Sequence, residues 1–142
     1  MKTLVLAAMP LPMMATTASL PNIDLWINAE PMLRSALECS SELDITDERL
    51  KRFPQYAEGS WEITPARDFS IMGLPISTIT LFIDTAGKLG SSYTAVIEKR
   101  SLGQVEQAIS LLQQKGPRAG RMSAIELGLR GPVVLNCTVS TE

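Results

Sequence analysis

The stretch ISTITLFIDTAGKLGSSYTAVIE, residues 76–98, decides the fold. Ile79, Leu81 and Ile83 alternate with Thr78 and Thr80, the period of a strand with one buried face. Gly87 and Gly90 supply a turn, and Tyr93 to Glu98 returns with residues that suit a pleated, half-buried surface. The stretch therefore predicts an antiparallel hairpin from Ile76 to Glu98. Phe82 falls on the threonine face rather than the main apolar one. If no helix covers that face, Phe82 marks a contact surface, since large aromatics are enriched where binding energy concentrates.

Downstream, Ser101 and Gln104 form a capping-box pair, each satisfying a backbone N–H left unpaired at a helix start. Leu102, Val105, Ala108, Ile109 and Leu112 then trace one helical face, and Gly116 and Pro117 end the element. This helix is expected to lie across the sheet. A short strand follows from Met122 to Leu127, and the last strand runs from Val133 to Val139, with Val133, Leu135, Cys137 and Val139 on one side.

Upstream, Trp61 and Ile63 alternate with Glu62 and Thr64, and Phe69 and Ile71 begin another short strand that ends at Gly73. Before them, Met32, Leu33, Ala36 and Leu37 predict a helix over 29–39, with Pro31 in its first turn, where its missing N–H is no loss. Thr46 is expected to cap a second short helix over 47–53. Its acidic Asp47 and Glu48 and basic Lys51 and Arg52 match the helix dipole at both ends. Helices, then strands, then helix and strands define an α+β class: an antiparallel sheet of four to six strands with two or three helices, the longest packed across one face. Strict βαβ alternation is absent, which disfavours a dinucleotide fold.

At 142 residues, with 45% hydrophobic and 20% charged residues, the chain fits one ordinary globular domain. Its first part differs. Lys2 is followed by an apolar run from Leu4 to Met14 and then by the small residues Ala15 to Ser19, the order of a secretory signal peptide. Cleavage is expected after Ala18, with Ser19 as the next choice, leaving a single domain over 19–142. Pro10 and Pro12 interrupt the run, which is shorter than a membrane span needs. The competing reading makes Leu4 to Met14 a buried strand and loop of a cytosolic protein.

Export gives the two cysteines meaning, because an even pair in a small domain of an oxidising compartment is normally bridged. Cys39 lies on the inner stripe of the first helix and Cys137 on the inner face of the last strand. A bridge between them closes a loop of about a hundred residues, for which chain entropy gives about 4–5 kcal/mol and experiment more often about 2–4 kcal/mol.

Chemistry is harder to find. The chain has no His and no Ser-x-x-Lys spacing, which removes the usual bases for Ser or Cys nucleophiles. Two thiols without His do not make a tetrahedral zinc site. No phosphate-loop or dinucleotide glycine pattern occurs, so no cofactor is expected. A formal charge of −2 gives no general attraction to nucleic acid or anionic membrane. Asp44, Asp47 and Glu48 cluster around a helix start, where capping is the ordinary duty of carboxylates.

No family-specific motif is present. The leading expectation is a small exported, periplasmic or secreted, non-catalytic binding protein acting through protein contacts, of inhibitor or immunity type. Its partner-binding candidates are Phe82, Arg118, Arg121 and Arg130, the arginines belonging to a basic late segment that contrasts with an acidic first half. The alternatives are an exported small-ligand or lipid carrier with a pocket lined by Met32, Met72, Phe82 or Met122, and a carboxylate-based hydrolase using Asp44 and Asp47.

Overall fold

The computed structural model describes residues 23–140. The signal-peptide reading and its cleavage sites lie outside the described residues. Three helices are present among them, α1 (Ile23–Leu37), α2 (Glu48–Lys51) and α3 (Leu102–Gln114). The strands are β1 (Gln55–Ala57), β2 (Ser60–Ile63), β3 (Ser70–Ile71), β4 (Leu74–Ile83), β5 (Ser91–Ile97), β6 (Arg121–Glu126) and β7 (Val133–Val139). They form an antiparallel sheet in the order β1-β2-β4-β5-β7-β6, with β3 paired to the start of β4. The class is α+β, as the alternation demands. The sheet has one strand more than expected, because β1 is three exposed residues with no hydrophobic period to betray it.

The hairpin forms in the expected register, with Ile79 opposite Ala95, Leu81 opposite Tyr93 and Ile83 opposite Ser91. Its turn depends on Gly90, whose φ of 86° suits glycine, and where a Cβ would sit 2.1 Å from the Val139 carbonyl oxygen. Asp84 organises the same turn by accepting hydrogen bonds from the backbone N–H groups of Ala86, Lys88 and Leu89.

Helix α1 starts six residues before the expected Ala29, so Pro31 stands inside it rather than in its first turn. The added turns carry Trp26, which is buried edge-on against Phe69 with ring centroids 5.0 Å apart. Arg34 also lies over the Phe69 ring, its guanidinium carbon 4.9 Å from the centroid. The helix ends at Leu37, and Cys39 follows in the left-handed conformation, φ 61°. Two backbone bonds close this end: Ser40 N–H donates to the Ser35 carbonyl and Cys39 N–H to that of Ala36.

Helix α2 is shorter than expected, and its cap is Asp47 rather than Thr46. Asp47 accepts from Arg49 N–H, while Thr46 turns its own N–H and hydroxyl towards Asp44. Helix α3 carries the expected capping box, Gln104 N–H to Ser101 Oγ and Ser101 N–H to Gln104 Oε1.

One core joins these parts. Trp61, Leu81, Tyr93, Cys137 and Met122 form one inward row across five strands, and Ile63, Ile79, Ala95 and Leu135 the next. Helix α1 packs on β5 and β7, and α3 on β6 and β7. A disulfide joins Cys39 to Cys137 with Cα atoms 5.5 Å apart, both residues fully buried. Beside it the Tyr93 hydroxyl accepts a hydrogen bond from Leu43 N–H at 2.8 Å, tying the loop after α1 to the middle of the sheet.

Candidate functional site

Because buried residues of β4, β5 and β7 alternate with half-exposed ones, and the buried set is the one under the helices, the opposite face of the sheet is open among the described residues. Its residues stand in three rows set by the strand register. Phe82, Ser92, Thr138 and Arg121 make the first, Glu62, Thr80, Thr94, Asn136 and Ser123 the second, and Thr78, Val96, Val134 and Ile125 the third. With strands about 4.8 Å apart, Glu62 and Ser123 at the ends of the second row are about 19 Å from each other.

The centre of this face carries no charge. Glu62 and Arg121 stand on its flanks, while the middle consists of hydroxyls, one amide and branched aliphatic side chains. Asn136 organises it: Ser92 Oγ donates to Asn136 Oδ1 at 2.9 Å, and Asn136 Nδ2 donates to Thr138 Oγ1 at 2.7 Å. Thr94 Oγ1 donates to the Thr80 carbonyl oxygen. These bonds fix the polar side chains in one arrangement without consuming all their capacity, since a hydroxyl both donates and accepts.

One corner is apolar. Ile125 is 58% exposed, Leu127 48% and Leu129 98%, continuing the aliphatic third row past the end of β6. Leu127 N–H donates to the Pro132 carbonyl, so the β6–β7 ladder extends one step beyond the strand. The tip between them is turned by Gly128, φ 69°, and Arg130, φ 58°.

The four residues singled out from sequence do not converge. Phe82 is half-buried on the open face, at its first row, and Arg121 ends the same row three strands away. Arg130 sits beyond the opposite end of the β6–β7 hairpin, beside Leu129. Arg118 is turned inward, donating to Ser40 Oγ at 3.0 Å and to the Glu38 carbonyl at the end of α1. A cation placed there complements the negative end of the helix dipole. Arg121 borders a shallow depression of about 370 Å³ with Ala119, Gly120, Thr138 and Ser140.

The pocket and carboxylate alternatives are dispersed in the same way. Met32 and Met122 are core residues, Phe82 is on the far side of the sheet, and Met72 occupies the β3–β4 turn with φ 55°. They do not line a common cavity. Asp44 binds Thr46, Asp47 caps α2 and pairs with Arg49, and Glu48 pairs with Lys51 on the surface. A depression of about 680 Å³ is lined by Pro65 to Ser70 and Pro75 to Ser77. Its Arg67 is held by Glu30, which also pairs with Arg34. Burial works against the charge on Glu30, but hydrogen bonds from both guanidinium groups outweigh it and hold its pKa below the ordinary carboxylate value.

No group of three or more Cys, Asp or Glu among the described residues is arranged to hold a metal ion, and no helix among them is long and apolar enough to cross a membrane. Comparison with protein-family models, curated proteins and solved structures finds no match.

Sequence reasoning missed the apolar corner. Leu127 and Leu129 lie among glycines and arginines, and the local composition reads as basic loop. The signal that finds them is the phase of β6: with Met122 inward, Ile125 and then Leu127 must point outward.

Proposed function

We propose that this chain is an exported, non-catalytic binding protein that engages a protein partner through the open face of its sheet. One observation carries this reading: a face five strands wide with an uncharged, hydrogen-bonded centre and an exposed aliphatic corner, on the side away from the three helices among the described residues. The middles of protein interfaces are depleted in charge, with polar and charged groups kept to the rim, and this face has that distribution. Exposed aliphatic side chains grouped at one corner also exceed the scattered singles of an ordinary surface. Inhibitor and immunity proteins act in this way, by occlusion rather than chemistry. The leader-like first residues and the disulfide support an oxidising compartment outside the cytoplasm.

The test is capture from an envelope extract of the producing cell, comparing the wild-type chain with Thr94→Arg/Val134→Arg. Both positions are outward-facing, so the variant should melt with the wild type while its face carries two new charges. A protein partner recovered by the wild type and lost with the variant is the expected result. Equal recovery by both proteins, or none by either, counts against the reading.

A further inference from the structure

We infer that β6 is a pairing edge through which two copies of this chain join their sheets. The two edges of the sheet differ in a way that demands explanation. An unpaired edge offers free N–H and C=O groups to any other chain, and proteins ordinarily blunt it with short strands, bulges, Pro or Lys. The β1 edge is blunted: three residues, an irregular register between Gln55 and Ala57, and Pro54 just before it. The β6 edge is not. Six residues run in unbroken register with β7, from Arg121 opposite Thr138 to Glu126 opposite Val133, with no Pro and no Lys. Among the described residues nothing pairs with its other side.

The main-chain groups on that side can be named. Leu127 N–H bonds the Pro132 carbonyl, which places the odd-numbered residues of β6 in hydrogen-bonded pairs with β7. Met122, Ala124 and Glu126 therefore turn their N–H and C=O groups outward. A twofold axis normal to the sheet at Ala124 pairs Ala124 with its own counterpart, and Met122 with Glu126 of the other copy, twice over. Six main-chain hydrogen bonds result. The same operation keeps the helices of both copies on one side of the sheet and the open faces on the other.

The side chains argue for a second copy as occupant rather than a foreign strand. On the open face, Ile125 of each copy comes to lie beside Ser123 of the other and diagonal to the other Ile125, covering side chains that are more than half exposed in one copy. The strand's two charges stand at its ends and on different faces, Arg121 on the open face and Glu126 on the helix face, so antiparallel pairing about Ala124 brings no like charges together. The axis itself falls on small Ala124, where nothing bulky or charged meets its like. Ile125 belongs to the proposed partner surface as well, but the inference does not rest on that partner, and an experiment on the isolated chain reads self-association alone.

Sedimentation velocity of the full chain over a concentration series tests it with two variants. Ala124→Pro removes an N–H that has no partner in β7 and blocks the two central bonds of the pair, leaving the chain's own ladder intact. Ile125→Lys changes an exposed side chain and brings two ammonium groups together beside the axis. A wild-type dimer whose dissociation constant rises about tenfold or more in each variant is expected. A wild type that stays monomeric at every concentration overturns the inference, as does a dimer that survives Ile125→Lys unchanged. Should Ala124→Pro fail to fold, Ile125→Lys decides alone, since the wild-type fold does not bury that position.

Discussion

Cys39 leaves the end of α1 with φ 61° and is bonded from there to Cys137, in the middle of the penultimate strand of the sheet. A left-handed conformation costs a non-glycine residue about 1–2 kcal/mol unless its surroundings fix it. Here they do so three times: by the disulfide, by Cys39 N–H on the Ala36 carbonyl, and by Ala119 N–H on the Cys39 carbonyl. The helix end, the last inner strand and the segment after α3 thus meet at one residue. Replacing both cysteines by alanine is expected to lower unfolding stability by about 2–4 kcal/mol. Denaturant titration of the two proteins measures it, and an unchanged midpoint would show that the bridge constrains nothing.

Arg118 meets the same helix end from outside. Its guanidinium donates to Ser40 Oγ and the Glu38 carbonyl, where the last carbonyls of α1 gather negative charge. Arg118→Ala is expected to cost about 0.3–1 kcal/mol. Because the residue faces the chain's own helix, the substitution should leave capture of a partner by the open face undiminished. Parallel melting and capture measurements separate these two outcomes.

Tyr93 is fully buried, and its hydroxyl is the acceptor for Leu43 N–H. Tyr93→Phe leaves that buried N–H without a partner, at a cost of about 1–3 kcal/mol. Alkali adds a second signature. Burial pushes the Tyr93 pKa up, against the lowering effect of its hydrogen bonds, so the folded state holds the proton after the unfolded state has released it. Stability from this group is complete below the unfolded value of about 10 and falls as pH rises above it. In Tyr93→Phe this part of the alkaline decline should be absent, which chemical unfolding at a series of pH values will reveal.

Much of this architecture is legible in the sequence wherever a period exists to be read. The hairpin, β7 and the capping box of α3 are legible from alternation and from one Ser–Gln pair, and the Cys39–Cys137 bond forms as expected, although Cys39 reaches the core from a left-handed position two residues past the helix rather than from its stripe. Failures fall where local signals compete. Pro31 mimics a helix start, although Trp26, Ala29 and Leu33 already follow the helical spacing on either side of it. Asp47 and Thr46 are both good caps, and only the turn made by Asp44 decides between them by occupying Thr46. The open face was legible as a phase, through Phe82, but its emptiness depends on where the helices dock, which is a tertiary fact. The apolar corner was hidden by the glycines and arginines around it.

Asp84 gives the acid counterpart of the Tyr93 argument. Its carboxylate accepts backbone N–H bonds from Leu89, Lys88 and Ala86, which outweigh the effect of burial and hold its pKa below the ordinary value. The bonds form only when the hairpin turn is made, so the depression belongs to the folded state. Such a group contributes stability fully above its unfolded value of about 3.9 and loses it as pH falls through the lower folded value. Glu30, held by Arg67 and Arg34, and Asp47, held by Arg49 at the cap of α2, change in the same direction. The protein is therefore expected to lose stability steadily on acidification below about pH 4. Asp84→Asn separates the turn from the other two. Its neutral amide oxygen accepts more weakly, so the variant should melt earlier than wild type at neutral pH. With no charge at this position to neutralise, its melting temperature should also fall less between neutral and acid conditions. Two melting curves that stay a constant distance apart across that range would show that the charge on Asp84 contributes nothing to the turn.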